Sequence, residues 1–215
     1  MSMSPNFRLL AILAAAAFAL ASTGPVVPAW TQETSPPPKE KRAPPTPGLP
    51  KTPAERDRAL SDLYALLATA EDENSAKTVA DSIERVWLHS GSPTVDLLFG
   101  RAMKAISEKN YDLALNFIDH VVEQAPDFTE GWSRRAFVHF QRNQVALALG
   151  DLRRALALDP NHFKALDGLA QVLREIGENR AALEVLKRLH DVHPYWAGAA
   201  QAIEELSREV EGQGI

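Results

Sequence analysis

Cysteine is absent from the 215 residues, and that absence excludes several kinds of protein. A disulfide scaffold, a thiolate zinc site, a cysteine nucleophile and a lipid-modified N-terminal cysteine all fall away. Glycine is sparse, at 11 residues, and none of it builds a phosphate-cradling loop. The signatures H-E-x-x-H and G-x-S-x-G are missing as well. The apolar run at 9–21 (LLAILAAAAFALA) has 13 residues, short of the ~20 that a membrane-spanning helix needs.

What the chain does have is proline in an uneven pattern. Of 15 prolines, ten lie between Pro25 and Pro53, while Pro93, Pro126, Pro160 and Pro194 follow at separations of 33, 34 and 34. A proline cluster followed by a regular proline spacing predicts a tether and then a repeat array. The start of the chain carries Arg8 and no acid, then the apolar run, then Ala19-Leu20-Ala21 ahead of Ser22. That layout predicts a cleaved secretory signal over 1–21 and a periplasmic chain. The alternative is an uncleaved anchor in the inner membrane facing the periplasm, the one reading that involves a membrane. In an oxidising compartment, a chain without cysteine avoids mispairing. Residues 22–51 hold nine prolines and few periodic apolar residues, and so predict a disordered, proline-rich linker.

Thr52, Pro53 and Glu55 read as a helix start, with a capping hydroxyl, a proline in the first turn and the acid of a capping box. Leu60, Leu63, Tyr64 and Leu67, then Val79, Ile83, Val86 and Trp87, fall at helical spacing. The segment 52–93 is therefore expected to be a helical hairpin, worn down from a first repeat.

Three units of 34 residues follow: 95–128, 129–162 and 163–196. In register they share alanine at 102, 136 and 170 and at 114, 148 and 182, polar turns near 109, 143 and 177, and the three closing prolines. Trp132, Ala136, Ala148, Leu152, Ala155 and Pro160 make unit 129–162 the fullest statement of the pattern. It resembles the tetratricopeptide repeat, with Arg101 and Arg135 where leucine is usual and Ala105, His139 and Leu173 where tyrosine is usual. The resemblance implies an all-α, right-handed solenoid of antiparallel helix pairs. A last helix over 197–210, with Ala199, Ile203, Leu206 and Val210 inward, is expected to cap it.

The resemblance also implies a function: a non-catalytic adaptor that holds a protein or peptide segment in a concave groove lined by the first helix of each pair. The groove positions it implies include Phe99, Met103, Ile106, Ser133, Phe137, Phe140, Gln141, Lys164, Gln171 and Arg174. Phenylalanine and methionine suit an adaptable apolar strip, with Lys164 and Arg174 at a polar end. The hairpin before the array is a rival occupant of the same strip. Two further readings stay open: an array that associates with itself through its terminal helices, and an accessory subunit of an envelope enzyme. No cofactor, metal or small-molecule substrate is expected. His190 and His193 have a spacing that fits a metal, but equally a helix C-terminus, where histidine suits the dipole. Residues 54–215 carry 18 Lys and Arg against 26 Asp and Glu, a net of −8, which repels nucleic acid.

Overall fold

A computed structural model describes residues 49–50 and 52–212. The expected signal (1–21) and nearly all of the expected linker (22–51) lie outside the described residues. Those described form nine helices and no strand. They are α1 Pro53–Ala68, α2 Glu73–Trp87, α3 Pro93–Ser107, α4 Tyr111–Gln124, α5 Thr129–Gln141, α6 Val145–Leu158, α7 Phe163–Glu175, α8 Asn179–Val192 and α9 Ala199–Gly212. None of them is long and apolar enough to cross a membrane.

The repeat explains itself locally. Ala102, Ala136, Ala114, Ala148 and Ala182 are buried to within about 1%, so the two helices of each pair approach over side chains that lose no rotamer entropy on burial. Between them the chain turns at Lys109 (φ 56°), Asn143 (φ 58°) and Gly177 (φ 80°), the same place in each unit. Between units it turns at the prolines, where the N–H of Phe128, His162 and Trp196 donates to the carbonyl of Ala125, Asp159 and His193 at 3.0, 3.2 and 3.0 Å. Proline cannot donate to a helical bond, and so α4, α6 and α8 all end just before it.

At the hairpin the structure departs from expectation. Thr52 caps α1, its Oγ1 accepting the Glu55 N–H at 3.2 Å, and Asp72 and Ser75 form a reciprocal capping box at α2. The pair does not stack beneath α3 as a worn first repeat. Its buried Leu60, Tyr64, Leu67, Ile83 and Trp87 share one core with Phe163, Leu166, Leu186, Leu189 and Leu206 of α7, α8 and α9. Around α3 the cluster of Val95, Phe99, Val121 and Phe128 contains no hairpin residue. The hairpin instead lies along the edge where units join, meeting the turns at 127–130 and 158–161. Two physical causes are visible. The face of α3 that would receive it carries Arg101 and Lys104, whose burial would strip two cations of water. Tyr64 and Trp87 are also large rings with polar tips, and the turn edge offers rings and carboxylates that match them. The loop after α2 makes the diversion through Gly91, at φ +87°, with Ser90 held by its N–H and Oγ to Asp96 Oδ1 at 2.8 and 2.7 Å.

Helix α9 begins two residues later than the unit register predicts, and it caps the array as expected. Ala199 and Leu206 are buried, Ile203 and Val210 half-buried, and Gln201, Glu204, Glu205, Arg208 and Glu209 exposed.

Candidate functional site: the face of the first helices

Helices α3, α5 and α7 present the ten positions the sequence selects. Unit register sets them in columns: Met103, Phe137 and Gln171 in one, Ile106, Phe140 and Arg174 in the next. Phe137 is 42% exposed, and Phe140, one turn on, is half-buried against the Ala136–Leu152 cluster. Phe140, Gln171 and Arg174 line one open pocket together with Leu206 and Glu209 of α9. Asn179 donates to Glu209 Oε1 at 2.6 Å, and Gln171 to Asp167 Oδ2 at 2.6 Å. Burial raises the Asp167 carboxyl above its ordinary range, against hydrogen bonds from Trp196 and Gln171 that pull it down. Gln141 is exposed, its Oε1 accepting from Tyr111 Oη at 3.4 Å. Met103 and Ile106 are half-buried.

Three of the ten need correction. Phe99 (3% exposed) and Ser133 (8%) are buried and offer no surface. They share the fifth position of their units, and in the first unit that position lies against the ring that ends it: Phe99 meets Phe128 edge-on at 5.2 Å. In the third unit Asp167 is hydrogen-bonded to Trp196 at the same place. Lys164 is also occupied, its Nζ 2.6 Å from Glu84 of α2. The hairpin thus engages one predicted site residue, but it does not cover the Phe137–Phe140 strip.

The sequence reading missed a second, buried polar assembly at the turn edge. Glu130, 2% exposed, accepts from Arg134 at 2.6 Å and from His162 Nε2 at 2.9 Å. His162 Nδ1 accepts the Ala165 N–H at 3.2 Å, which leaves the ring proton on Nε2 for Glu130. Trp87 stacks on the face of that ring, and its Nε1 donates to Tyr64 Oη at 3.2 Å. Tyr64 in turn donates to Asp159 Oδ2 at 2.5 Å. Burial, and next the Asp159 charge, push the Tyr64 hydroxyl far above its ordinary range. Burial also pushes the Glu130 carboxyl up, but Arg134 and then His162 outweigh it and hold the group low. The sign of this assembly in the sequence was the column Phe128, His162, Trp196, which follows the closing prolines. Each donor meets an acceptor within it, so it reads as a fastening. Among the described residues no group of three or more His, Asp or Glu is placed to hold a metal.

A solenoid of helix pairs, with one accessible row of aromatic and polar side chains on its first helices, defines a helical-repeat protein. The tetratricopeptide repeat matches over residues 129–162. A TPR repeat-containing protein of Rhizobium etli is 33% identical over 153 residues, 71% of this chain and 75% of that one. The chain belongs to the tetratricopeptide repeat (TPR) family. Among solved structures, the Sgt2 TPR domain of Aspergillus fumigatus matches with a TM-score of 0.53 at 21% identity, over 57% of this chain and 83% of that one. The first TPR of Spaghetti (RPAP3), solved bound to an HSP90 peptide, matches with a TM-score of 0.52 at 19% identity, over 54% and 93%. At these identities the likeness shows the fold. TPR proteins are generally protein-interaction adaptors.

Proposed function

We propose that this TPR protein is a non-catalytic adaptor of the bacterial cell envelope that holds a partner's peptide segment on the face of its first helices. The observation that carries the reading is Phe137, 42% exposed one turn before Phe140, which itself lines the pocket with Gln171 and Arg174. An exposed aromatic in line with a pocket is an anchor for an apolar side chain, and the polar groups beside it fix direction. The pocket end carries Arg174 against Glu175 and Glu209, so the segment brings an apolar anchor followed by polar or mixed-charge residues. The peptide held by the RPAP3 domain is a precedent for a segment held by this fold, not for this ligand.

The test is a photo-crosslinker at the exposed position 141 in cells, with and without Phe137→Ser. Because Phe137 lies outside the core, the substitution should remove the captured partner and leave the melting temperature within a degree or two. An unchanged capture pattern would refute the groove. The envelope assignment rests on the layout of residues 1–21 and has its own test. The mature chain from cell fractions should start at Ser22 and appear in the periplasm; an intact leader in the membrane fraction would indicate the anchor instead.

A further inference from the structure

Inside the array each first helix receives the second helix of the preceding unit, and register identifies the receiving face. On α5 it includes Gly131 and Val138; on α7 it includes Ala165, Gly168 and Val172. A Cβ added at Gly131 would lie 3.0 Å from Val121 Cγ1 of α4, and one at Gly168 would lie 3.2 Å from Leu152 Cδ2 of α6. Val138, Ala165 and Val172 are buried.

The same places on α3 are Leu97, Gly100 and Lys104, with Arg101 standing where Arg135 stands on α5. No described residue covers them. Leu97 is 58% exposed, Gly100 has no atom within 4 Å of a Cβ site, and the Lys104 side chain is 77% exposed. The hairpin that precedes α3 is engaged on the turn edge instead. Arg135 shows what a cation here does when a helix is present: its Nη1 reaches Asp119 of the preceding α4 at 3.2 Å. Asp151, of its own unit, accepts from Nε and Nη2 at 2.8 and 2.7 Å. In the first unit Phe117 takes the place of Asp151, and Arg101 rests over that ring at 5.9 Å with no ion pair among the described residues. Among the described residues Lys104 pairs only with Glu108, the cap at the end of its own helix, at 3.9 Å.

We propose that this bare face of α3 docks an acidic amphipathic helix of a partner protein. The helix lays a leucine or valine into the notch at Gly100, as α6 lays Leu152 at Gly168, and turns carboxylates to Arg101 and Lys104. Desolvated pairing of those cations supplies specificity, and the apolar contact beside Leu97 supplies area. A second copy is the weaker fit. The opposite end of the array, α9, offers Glu204 and Glu205 but no exposed large apolar side chain for the notch, and Glu204 already holds Arg208 at 2.6 Å. The surface is separate from the Phe137 strip and does not depend on it.

The experiment uses the full chain and a fluorescein-labelled synthetic helix of alanine and glutamine, with leucines one turn apart flanked by glutamates. Saturable anisotropy is expected. The double change Arg101→Glu, Lys104→Glu should weaken binding on the order of tenfold or more, and a peptide with lysine for glutamate should restore it. Gly100→Leu should block the notch, and Phe137→Ser should change nothing. Both exposed sites tolerate these changes without loss of fold, which circular dichroism checks. No saturable binding, indifference to charge reversal, or loss with Phe137→Ser overturns the proposal. So does sedimentation in which the unmodified chain self-associates and the double variant does not, since that assigns the face to a second copy.

Discussion

The Trp87 indole lies flat on the His162 imidazole, centroids 3.7 Å apart and planes 10° from parallel. One ring belongs to the hairpin and the other to a turn of the array, so this contact sets where the hairpin docks. Trp87 is 4% exposed, also touches Phe163 at 4.6 Å, and donates to Tyr64. Trp87→Ala should cost about 3–5 kcal/mol. Hydrogen exchange should show protection lost first across 53–87, with α5 and α6 keeping theirs. Uniform loss across the chain would mean that hairpin and array unfold as one unit.

Beneath that ring the Glu130 carboxylate is held below its ordinary pKa of 4.5 by Arg134 and His162, despite burial. The sign follows: the native state binds the proton less readily than the unfolded chain. The stabilisation is present above the ordinary carboxylate range and is lost as pH falls through the depressed value. Glu130→Leu should leave the His162 Nε2–H without its acceptor, costing about 1–3 kcal/mol at neutral pH. It should also flatten the acid limb of a denaturation series. An acid limb identical to that of the unchanged chain would assign that sensitivity to other carboxylates.

His193 titrates in a different window. Burial lowers its pKa from the ordinary 6.5, its ring is edge-on to Phe163 and to Trp196, and its Nδ1 has no hydrogen-bond partner among the described residues. A histidine kept neutral on folding contributes stability that is present above pH 6.5 and declines as pH falls below it. Melting temperature should therefore drop as pH falls below 6.5, and His193→Phe should remove that slope. A slope retained in His193→Phe would place its origin elsewhere.

Much of this architecture was legible because it is periodic. Pro126, Pro160 and Pro194 mark the unit ends, and the alanines at 114, 148 and 182 mark the helix crossings. The polar turns even contain the left-handed position at 109, 143 and 177. The hairpin's place was not legible, because Tyr64 and Asp159 are 95 residues apart and no period links them. Register projected Phe99 and Ser133 onto the groove, but it could not show that both are buried, Phe99 against the closing ring of Phe128. The polar fastening escaped for a related reason. Glu130 and His162 fall in different units, and each alone reads as surface.

Three glycines share a helical setting but differ in surroundings, so one substitution should have three signs. At Gly100 an added methyl meets nothing within 4 Å, and Gly100→Ala should stabilise by about 0.5–1 kcal/mol through helix propensity. At Gly168 the methyl would press on Leu152 Cδ2 at 3.2 Å; that side-chain tip can shift, and the gain should shrink toward zero. At Gly131 the methyl would meet Val121 Cγ1 at 3.0 Å and Phe128 and Val122 at 3.3 Å each. Those side chains are buried and β-branched or aromatic, so they cannot rotate away, and Gly131→Ala should destabilise by about 1–3 kcal/mol. Urea denaturation of the three variants gives the order directly. If Gly100→Ala destabilises as much as Gly131→Ala does, then a neighbour already covers the α3 face in the free protein, and that face is not bare.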